Sequence, residues 1–363
     1  MSKVTSKSNK KQQSAISFDG KSCWVGVDTH KVNYAVAILD EDGQRVEFST
    51  PADPKILLKK FITMGIRIKC LAYESGPVGF GLAWACQESK LPVLVAAPSR
   101  IPRPITKSGK TDRLDSMKLV EFLAKGMLVG IAIPTKEEFA LREIERTRQH
   151  LTERRRKTRQ EIRSFLLRNG IQEPPNLSSW GKISIESLKK LELAKNLRIS
   201  LDYYLEEHAT IISQLENITA QLDKSIAEHG LAQQVKNLRT VPGVGKTIAN
   251  TFSTEIFRPE RFNRPEQICS FVGLAPITSH SGLGREKAWT RSVGQVYLKS
   301  ALIQGAWKLI MSDEWYKSFY DRIRLKTGCF QKALVAIARK LLVIVWRLSI
   351  EKREYHPSNC SLA

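Results

Sequence analysis

From Cys23 to about residue 50 the chain alternates apolar and polar positions in short blocks, a pattern typical of β-strands. The segments CWVGVD, NYAVAIL and QRVEFST follow one another with short turns between them, so they predict three antiparallel strands. Asp53 followed by Pro54 predicts a helix through about Thr63, because aspartate caps helix N-termini and proline fits the first turn. The strand IRIKCLAYE, a helix over residues 79–88 and the strand LPVLVAA follow. The predicted order is therefore β-β-β-α-β-α-β.

This order is that of the ribonuclease H-like fold, so we expect an α/β domain over residues 21–132. Residues 1–20 before it are polar and rich in lysine and serine, which predicts a disordered basic tail. The basic connector PSRIPRPITKSGK follows the last strand and leads to a helix that starts near Thr111.

Residues 133–230 have the spacing of a helical coiled-coil region. The segment 136–168 predicts a first helix, and the EPP sequence at residues 173–175 predicts its end. A second helix carries an apolar seam, here called the 201–226 seam, from which we predict an antiparallel hairpin that also pairs protomers. The seam consists of Leu201, Leu205, His208, Ile212, Leu215, Thr219, Leu222 and Ile226.

A basic cluster lies on the first of these helices, at Arg154, Arg155 and Arg156. It has two interpretations, a solvated helix face or a contact with nucleic acid, and the sequence leaves both open.

Residues 231–363 predict a mainly helical C-terminal domain. In its last part, two apolar stretches flank Arg339 and Lys340; they predict one buried helix and are too short to span a membrane.

Charge, cysteine content and the N-terminal segment indicate the kind of partner and the cellular compartment. The 363 residues contain 58 Lys and Arg against 36 Asp and Glu, a formal net charge of +22 that points to a polyanionic partner. The six cysteines have no CxxC spacing, which argues against a zinc site and a disulfide framework. The N-terminal segment has no apolar stretch typical of a secretory signal, so we expect a cytoplasmic protein.

The sequence VPGVGKTIA has the pattern of a helix-hairpin-helix motif. Gly243 and Gly245 let backbone N–H groups approach a phosphate at the start of the next helix, and Lys246 adds a positive charge there. A plain turn between helices is the alternative. In a chain of this charge we favour a sequence-independent contact with a nucleic-acid backbone.

Four acidic residues predict a metal site. Asp28 and Glu74 each end an apolar strand, and these strands are neighbours in a ribonuclease H-like sheet. Asp112 and Asp115 are three residues apart and so share one helix face. Four converging carboxylates suit Mg²⁺ and phosphoryl transfer. Individually, Asp112 could be a helix cap, Asp28 a turn residue and Glu74 a surface group.

A serine follows in a Gly- and Arg-rich segment. Ser281 precedes a glycine, and Arg285, Lys287 and Arg291 could stabilise an anionic phosphorane formed near it. On local chemistry alone a surface loop is the better explanation of this segment, and the neighbouring Ser279 is an alternative hydroxyl.

The motifs VGVDTHK, AYESGP, KTDRLDSMKL, VPGVGKTIA and GLAPITSHSG resemble, in order and spacing, those of DEDD-type transposases of bacterial insertion sequences, a family of bridge-RNA-guided recombinases. The resemblance implies a RuvC-like domain that holds Mg²⁺ through the four acids, and a C-terminal transposase domain with the helix-hairpin-helix and the serine. It also implies that Ser281 is the nucleophile in a site completed by another protomer's acids. In one departure from the family pattern, Thr290-Arg291 lies one residue further from Gly294.

The expected function is thus RNA-guided cleavage and exchange of DNA strands. Its partners are donor and target DNA, a guide (bridge) RNA and further copies of the chain in a homodimer or homotetramer, on the nucleoid when DNA is bound. Two alternatives remain: a Holliday-junction-type metal-dependent endonuclease that uses water as nucleophile, and a non-enzymatic nucleic-acid-binding protein.

Overall fold

The computed structural model describes residues 18–102, 112–279, 287–290 and 294–357; for 112–114, 277–279 and 287–290 it describes the backbone. The chain divides into two compact units, Met1–Glu137 and Glu138–Ala363. The predicted tail of residues 1–20 lies mostly outside the described residues. Phe18, within it, is nevertheless buried in the core of the first unit, so order begins before Lys21.

The first unit is built on a five-stranded sheet with the order β3-β2-β1-β4-β5. Its strands are β1 (Ser22–Thr29), β2 (Asn33–Asp40), β3 (Arg45–Pro51), β4 (Arg67–Glu74) and β5 (Val93–Ala96). The first three are antiparallel, whereas β4 lies parallel to β1, and β5 parallel to β4. This confirms the predicted succession of elements and is consistent with a ribonuclease H-like domain.

Helices cover both faces of this sheet. Helix α1 (Pro54–Thr63) begins as predicted, with the Asp53 carboxylate accepting a hydrogen bond from the Lys55 N–H at 2.8 Å. Together with α2 (Gly81–Glu88) it packs on the face that carries the alternate residues Cys23, Val25 and Val27 of β1. Helix α3 (Asp112–Ala124) packs on the opposite face, against β1, β2 and β4.

The second unit begins with two long helices, α4 (Lys136–Arg168) and α6 (Lys195–Glu228), which are separated by the short α5 (Lys182–Lys189). They form the predicted antiparallel hairpin: Leu141 near the start of α4 packs with Leu222 near the end of α6. At the other end of the hairpin, Leu201 and Leu205 pack with Ile162, Phe165 and Leu166.

The 201–226 seam is therefore covered by α4 of the same chain. Leu201, Leu205, Leu215, Leu222 and Ile226 are all buried in the single chain. Ile211 is buried too, whereas the predicted seam residue Ile212 is only half-buried. Our prediction that this seam pairs protomers assumed an uncovered face, and that assumption is wrong.

The remainder of the second unit is mainly helical, as predicted, and packs around a central helix, α12 (Phe330–Glu351), which contributes more buried apolar residues to the core than any other helix. Arg339, half-buried in α12, donates to the Leu274 carbonyl at 3.1 Å, which explains a cation inside this buried helix. No helix of the described residues is long and apolar enough to cross a membrane.

The further elements of the second unit are α7 (Ala232–Leu238), α8 (Lys246–Ile256), α9 (Pro265–Val272), the unpredicted hairpin β6 (Pro276–Ser279) and β7 (Lys287–Thr290), α10 (Val296–Ser312), α11 (Glu314–Thr327) and α12 (Phe330–Glu351).

Candidate active site

Asp28 and Glu74 lie on neighbouring parallel strands, close to their carboxyl ends. Val27 of β1 is paired with Tyr73 of β4, and the two acids are the next residues along each strand. Side chains alternate between the faces of a sheet. Val27 and Tyr73 face the core beneath α1 and α2, so Asp28 and Glu74 face the side that carries α3. The two acids therefore lie on neighbouring strands and on the same face of the sheet.

The Asp28 carboxylate has a neighbour that the sequence did not single out. The Nε2 of His30 lies 3.2 Å from Oδ2 of Asp28, whose side chain is 19% exposed. His30 is two residues beyond Asp28, the spacing that puts two side chains of an extended chain on one face. The VDTHK sequence therefore contained the signal for this contact. Glu74, in contrast, is exposed.

Helix α3 brings Asp115 to the same side of the sheet. The helix packs so closely on β1 that a Cβ at Gly26 would lie 2.4 Å from the Ser116 carbonyl oxygen and 2.7 Å from the Val120 nitrogen. Asp115, the residue before Ser116, is half-buried, and its Oδ1 lies 3.7 Å from Nζ of Lys118. Asp112 is the first residue of α3, and its side chain lies outside the described part of the chain.

The donor set suits a hard divalent cation. Asp28, Glu74 and Asp115 supply carboxylate oxygens, which Mg²⁺ prefers, and no soft ligand accompanies them. Among the side chains that the structure describes, which exclude that of Asp112, no group of three or more His, Cys, Asp or Glu is close enough to hold a metal ion. The residues fit Mg²⁺ in kind, although the described ones do not form a closed coordination shell.

A second feature is the PGVGK turn, which joins α7 to α8. Gly243 has φ of +87°, and a Cβ there would lie 2.2 Å from the Gly305 carbonyl oxygen of α10. Glycine is required at this position by both conformation and space. Gly245 is the N-cap of α8, and a Cβ added to it would meet nothing within 4 Å. The N-terminus of α8 therefore opens onto free space.

This turn borders an open cleft of about 1040 Å³ in the second unit. The cleft is lined by α4, α6, the turn and α10, and the polar side chains of Tyr297, Gln304 and Lys308 line its α10 wall. Lys246 also lines it, but its ammonium group is paired with the carboxylate of Asp223 on α6. The sequence did not identify these α10 residues, because only the packing of the turn against α10 places them in the wall of the cleft.

The arginine cluster lies on α4. Arg154 and Arg156 are exposed and Arg155 is half-buried. Arg155 lines the cleft, whereas Arg156 pairs with Glu153 of its own helix at 3.1 Å. Of the serine segment, the structure describes the backbone of Lys287, which is paired with Ser279 in the β6–β7 hairpin. Ser281, Arg285 and Arg291 lie outside the described residues.

Comparison with known protein families agrees with this arrangement. Residues 25–169 match a model of the DEDD transposases of the IS110 type, described as a transposase. Residues 235–321 match the model described as the transposase IS116/IS110/IS902 family. The chain carries the two domains of an IS110/IS116-family transposase. The family part of the resemblance seen in the sequence is thereby confirmed.

Individual relatives of this transposase extend over most of its length. It is 26% identical to a putative transposase, y4qE, of Sinorhizobium fredii over 93% of this chain and 90% of that protein. It is 28% identical to the transposase for insertion sequence element IS1533 of Leptospira borgpetersenii over 57% of this chain and 61% of that protein. With the transposase for IS1111A of Coxiella burnetii it shares 23% identity over 73% of each chain.

Membership in this family implies that the transposase binds, cleaves and rejoins DNA, and that its DEDD domain depends on a metal. The first matched region contains Asp28, Glu74, Asp112 and Asp115, and the second contains the PGVGK turn and Ser281.

Proposed function

We propose that this transposase is an RNA-guided DNA recombinase in which Mg²⁺ is held by Asp28, Glu74, Asp112 and Asp115, and Ser281 is the nucleophile. One observation carries the proposal: Asp28 and Glu74 end neighbouring parallel strands and face the same side of the sheet as the helix that bears Asp115. Core packing does not account for the two acids, because Glu74 is exposed and the partly exposed carboxylate of Asp28 lies in hydrogen-bond contact with His30.

The chain's own residues then have distinct roles. Bound by the four acids, Mg²⁺ supplies Lewis-acid activation of a scissile phosphate. His30 holds the Asp28 carboxylate in a fixed orientation through their hydrogen bond. The Ser281 oxygen forms a phosphoserine ester as the first strand leaves, and a hydroxyl of the second strand then attacks that ester and releases the serine. Arg285, Lys287 and Arg291 stabilise the negative charge that develops beside it.

Nucleic-acid backbones are bound by the second unit. Backbone N–H groups at Gly243 and Gly245 and the ammonium group of Lys246 contact phosphates at the open N-terminus of α8. The exposed arginines of the cluster, Arg154 and Arg156, add charge together with Arg155. A guide RNA supplies sequence specificity by base pairing, which suits a chain whose contacts are directed at backbones. The active form is a homodimer or homotetramer with shared active sites, and its contacts use surfaces other than the buried 201–226 seam.

The experiment that separates recombinase from nuclease is a covalent trap. With a DNA substrate nicked beside the cleavage point, a serine mechanism leaves a protein–DNA adduct that resists SDS and disappears on proteolysis. Ser281→Ala should abolish the adduct, and the matched control Ser279→Ala should keep it. Free DNA ends without an adduct during active cleavage would instead establish a water nucleophile and refute the role of Ser281.

The metal and the RNA are tested separately. Both Asp28→Asn and EDTA should abolish cleavage. The substitution should also reduce the rise in melting temperature that we expect Mn²⁺ or Mg²⁺ to give the intact protein, while leaving DNA binding unchanged. Equal metal-induced stabilisation of both proteins would remove Asp28 from the site. For the RNA, a discrete species should co-purify with the protein from its native host, and purification free of RNA with full activity would refute guidance.

A further inference from the structure

An aromatic surface lies on α11, far along the chain from the motifs used above. The rings of Trp315 and Phe319 are stacked nearly parallel, with centroids 5.5 Å apart and planes at 11°. Tyr316, which is buried, packs edge-on against Trp315 and fixes it from the core side. Trp315 itself remains 49% exposed. A flat aromatic stack thus has one side supported by the core and another open to solvent.

Two cations accompany these rings. Nζ of Lys340, from α12, lies 5.1 Å from the centroid of Trp315 and 5.0 Å from that of Phe319. The guanidinium carbon of Arg322 lies 5.1 Å from the Phe319 ring. Burial, followed by the charge of Arg322, lowers the pKa of Lys340 below its usual value.

The same stripe of α11 continues with positive charge. Trp315, Phe319, Arg322 and Lys326 follow at spacings of four, three and four residues, which places them on one helix face. Arg322 and Lys326 are exposed. Here this set, together with Lys340, is called the Trp315 surface. It combines a ring platform with three cations. The acid next to Trp315, Glu314, lies 3.4 Å from Lys317.

We propose that the Trp315 surface binds single-stranded nucleic acid, with an unpaired base stacked on Trp315 and the adjoining phosphates held by Arg322, Lys326 and Lys340. Every base offers a flat π face, so stacking on an exposed ring is tolerant of sequence, and neighbouring cations bind the backbone. The inference rests on the proposed function in that it takes nucleic acid as the partner of this transposase, and it adds a site for unpaired bases.

Charge decides against a second copy of the chain as the occupant. In a symmetric contact the same patch meets itself, so Arg322 and Lys340 of one protomer would face the same cations of the partner. A polyanion relieves that repulsion, whereas a second copy increases it. The surface places cations beside aromatic rings, and a nucleic-acid strand places phosphates beside bases.

The test uses the full-length protein and two oligonucleotides of equal length, one with pyrimidine bases and one abasic. Fluorescence anisotropy at a fixed salt concentration should show that the intact protein binds the base-bearing strand about fivefold to a hundredfold more tightly than the abasic strand. Trp315→Leu should remove that preference, while Trp315→Tyr, which keeps a ring, should retain much of it. Tyr203→Leu, which replaces an aromatic residue that is 71% exposed on α6, is the matched control and should change nothing.

A second readout locates the base directly. Irradiation of a strand that carries 5-iodouracil should crosslink it to the tryptic peptide 309–317, which contains Trp315. A crosslink confined to other peptides would overturn the proposal. An equal loss of binding to both strands in Trp315→Leu would also overturn it, because charge alone would then explain the binding. Unchanged binding with an altered sedimentation coefficient would overturn it as well, because the surface would then be a protein interface.

The two proposals fail in different ways. If the intact protein binds duplex DNA but shows no preference for bases over abasic positions, the Trp315 surface has no such role and the proposed function stands. If the protein binds neither duplex nor single-stranded nucleic acid, the proposed function is wrong and the Trp315 surface is wrong with it.

Discussion

Gly26→Ala tests whether the position of α3 on the sheet sets the geometry of the acidic site. Gly26 lies two residues before Asp28 on β1, on the face that carries α3. The new Cβ would lie 2.4 Å from the Ser116 carbonyl oxygen and 2.7 Å from the Val120 nitrogen. Both are backbone atoms, so no side-chain rotation can relieve the contact, and the helix as a whole must move away from the strand.

The size of that movement follows from the contact distance. Ordinary van der Waals contact of a Cβ begins near 3.4 Å, so α3 must shift by about 1 Å at Ser116. Overpacking of this kind typically costs about 1–3 kcal/mol of the free energy of unfolding. Asp115 moves with Ser116 relative to Asp28, and a displacement of about 1 Å can reduce a catalytic rate about a hundredfold. We therefore expect a modest loss of stability and a large loss of activity.

Two measurements check this expectation. Urea unfolding gives the loss of stability, and excision of the chain's own insertion element from a donor plasmid gives the loss of activity. Gly81→Ala is the matched control: Gly81 belongs to the same unit, a Cβ there meets nothing within 4 Å, and alanine suits the first turn of α2. It should leave both measurements at or slightly above wild type.

The outcomes of Gly26→Ala separate two parts of the reasoning. Wild-type stability and activity would refute the close packing of α3 on β1. Reduced stability with full excision activity would instead show that the position of Asp115 relative to Asp28 does not matter for catalysis, and would remove α3 from the proposed site.

Three further predictions concern the second unit. Glu145→Ala should lower the free energy of unfolding, measured in urea, by about 3–5 kcal/mol, because Arg148 lies 2.7 Å from the buried Glu145 carboxylate and would lose this partner. An unchanged midpoint of urea unfolding would contradict the pairing. Leu222→Ala should lower the free energy of unfolding by about 2–5 kcal/mol in the same assay and leave the mass measured by light scattering unchanged. A lower mass with unchanged stability would instead show that the 201–226 seam is a protomer interface. Burial and then the charge of Arg159 lower the pKa of His208 to about 4, below its ordinary 6.5, so the unfolded chain binds the extra proton between these values. Stability should fall as the pH falls from about 6.5 to 4, by at most about 1.4 kcal/mol per pH unit from this residue, and the same titration of His208→Gln should be flatter.

The sequence predicted the local elements well because their signals are local. Asp53 and Pro54 determine the start of α1 through a cap and a fixed φ, and the observed first arm, Lys136–Arg168, matches the predicted helix of residues 136–168. The hairpin of β6 and β7 was missed, since its strands are four residues long and flank a glycine-rich segment that is typical of a loop. Strands this short are stabilised by pairing with each other, and their own residue pattern is too short to predict them.

What the sequence could not supply was the partner of each surface. The heptad spacing in α6 predicts an apolar face but does not say whether α4 or another protomer covers it. The pair Asp28 and Glu74 could be placed together because parallel neighbours share an edge, whereas the approach of Gly26 to α3 depends on how a helix more than 80 residues later packs. The same limit applies to the Trp315 surface: Trp315 and Phe319 stack within α11, but Lys340 comes from α12.

Charge illustrates the same limit, with a consequence for where nucleic acid binds. Much of the basic content of α4 is committed inside the second unit: Arg146 lies 3.0 Å from Glu255 of α8, and Arg148 pairs with Glu145 in the core. Lys246 at the PGVGK turn is paired with Asp223, so a phosphate there must compete with a carboxylate. A buried or paired cation adds to the net charge of +22 but releases few counterions when a strand binds. We therefore expect the binding surfaces of this transposase where cations are exposed beside aromatic rings or open helix termini, and we expect the buried or paired cations to stabilise the fold.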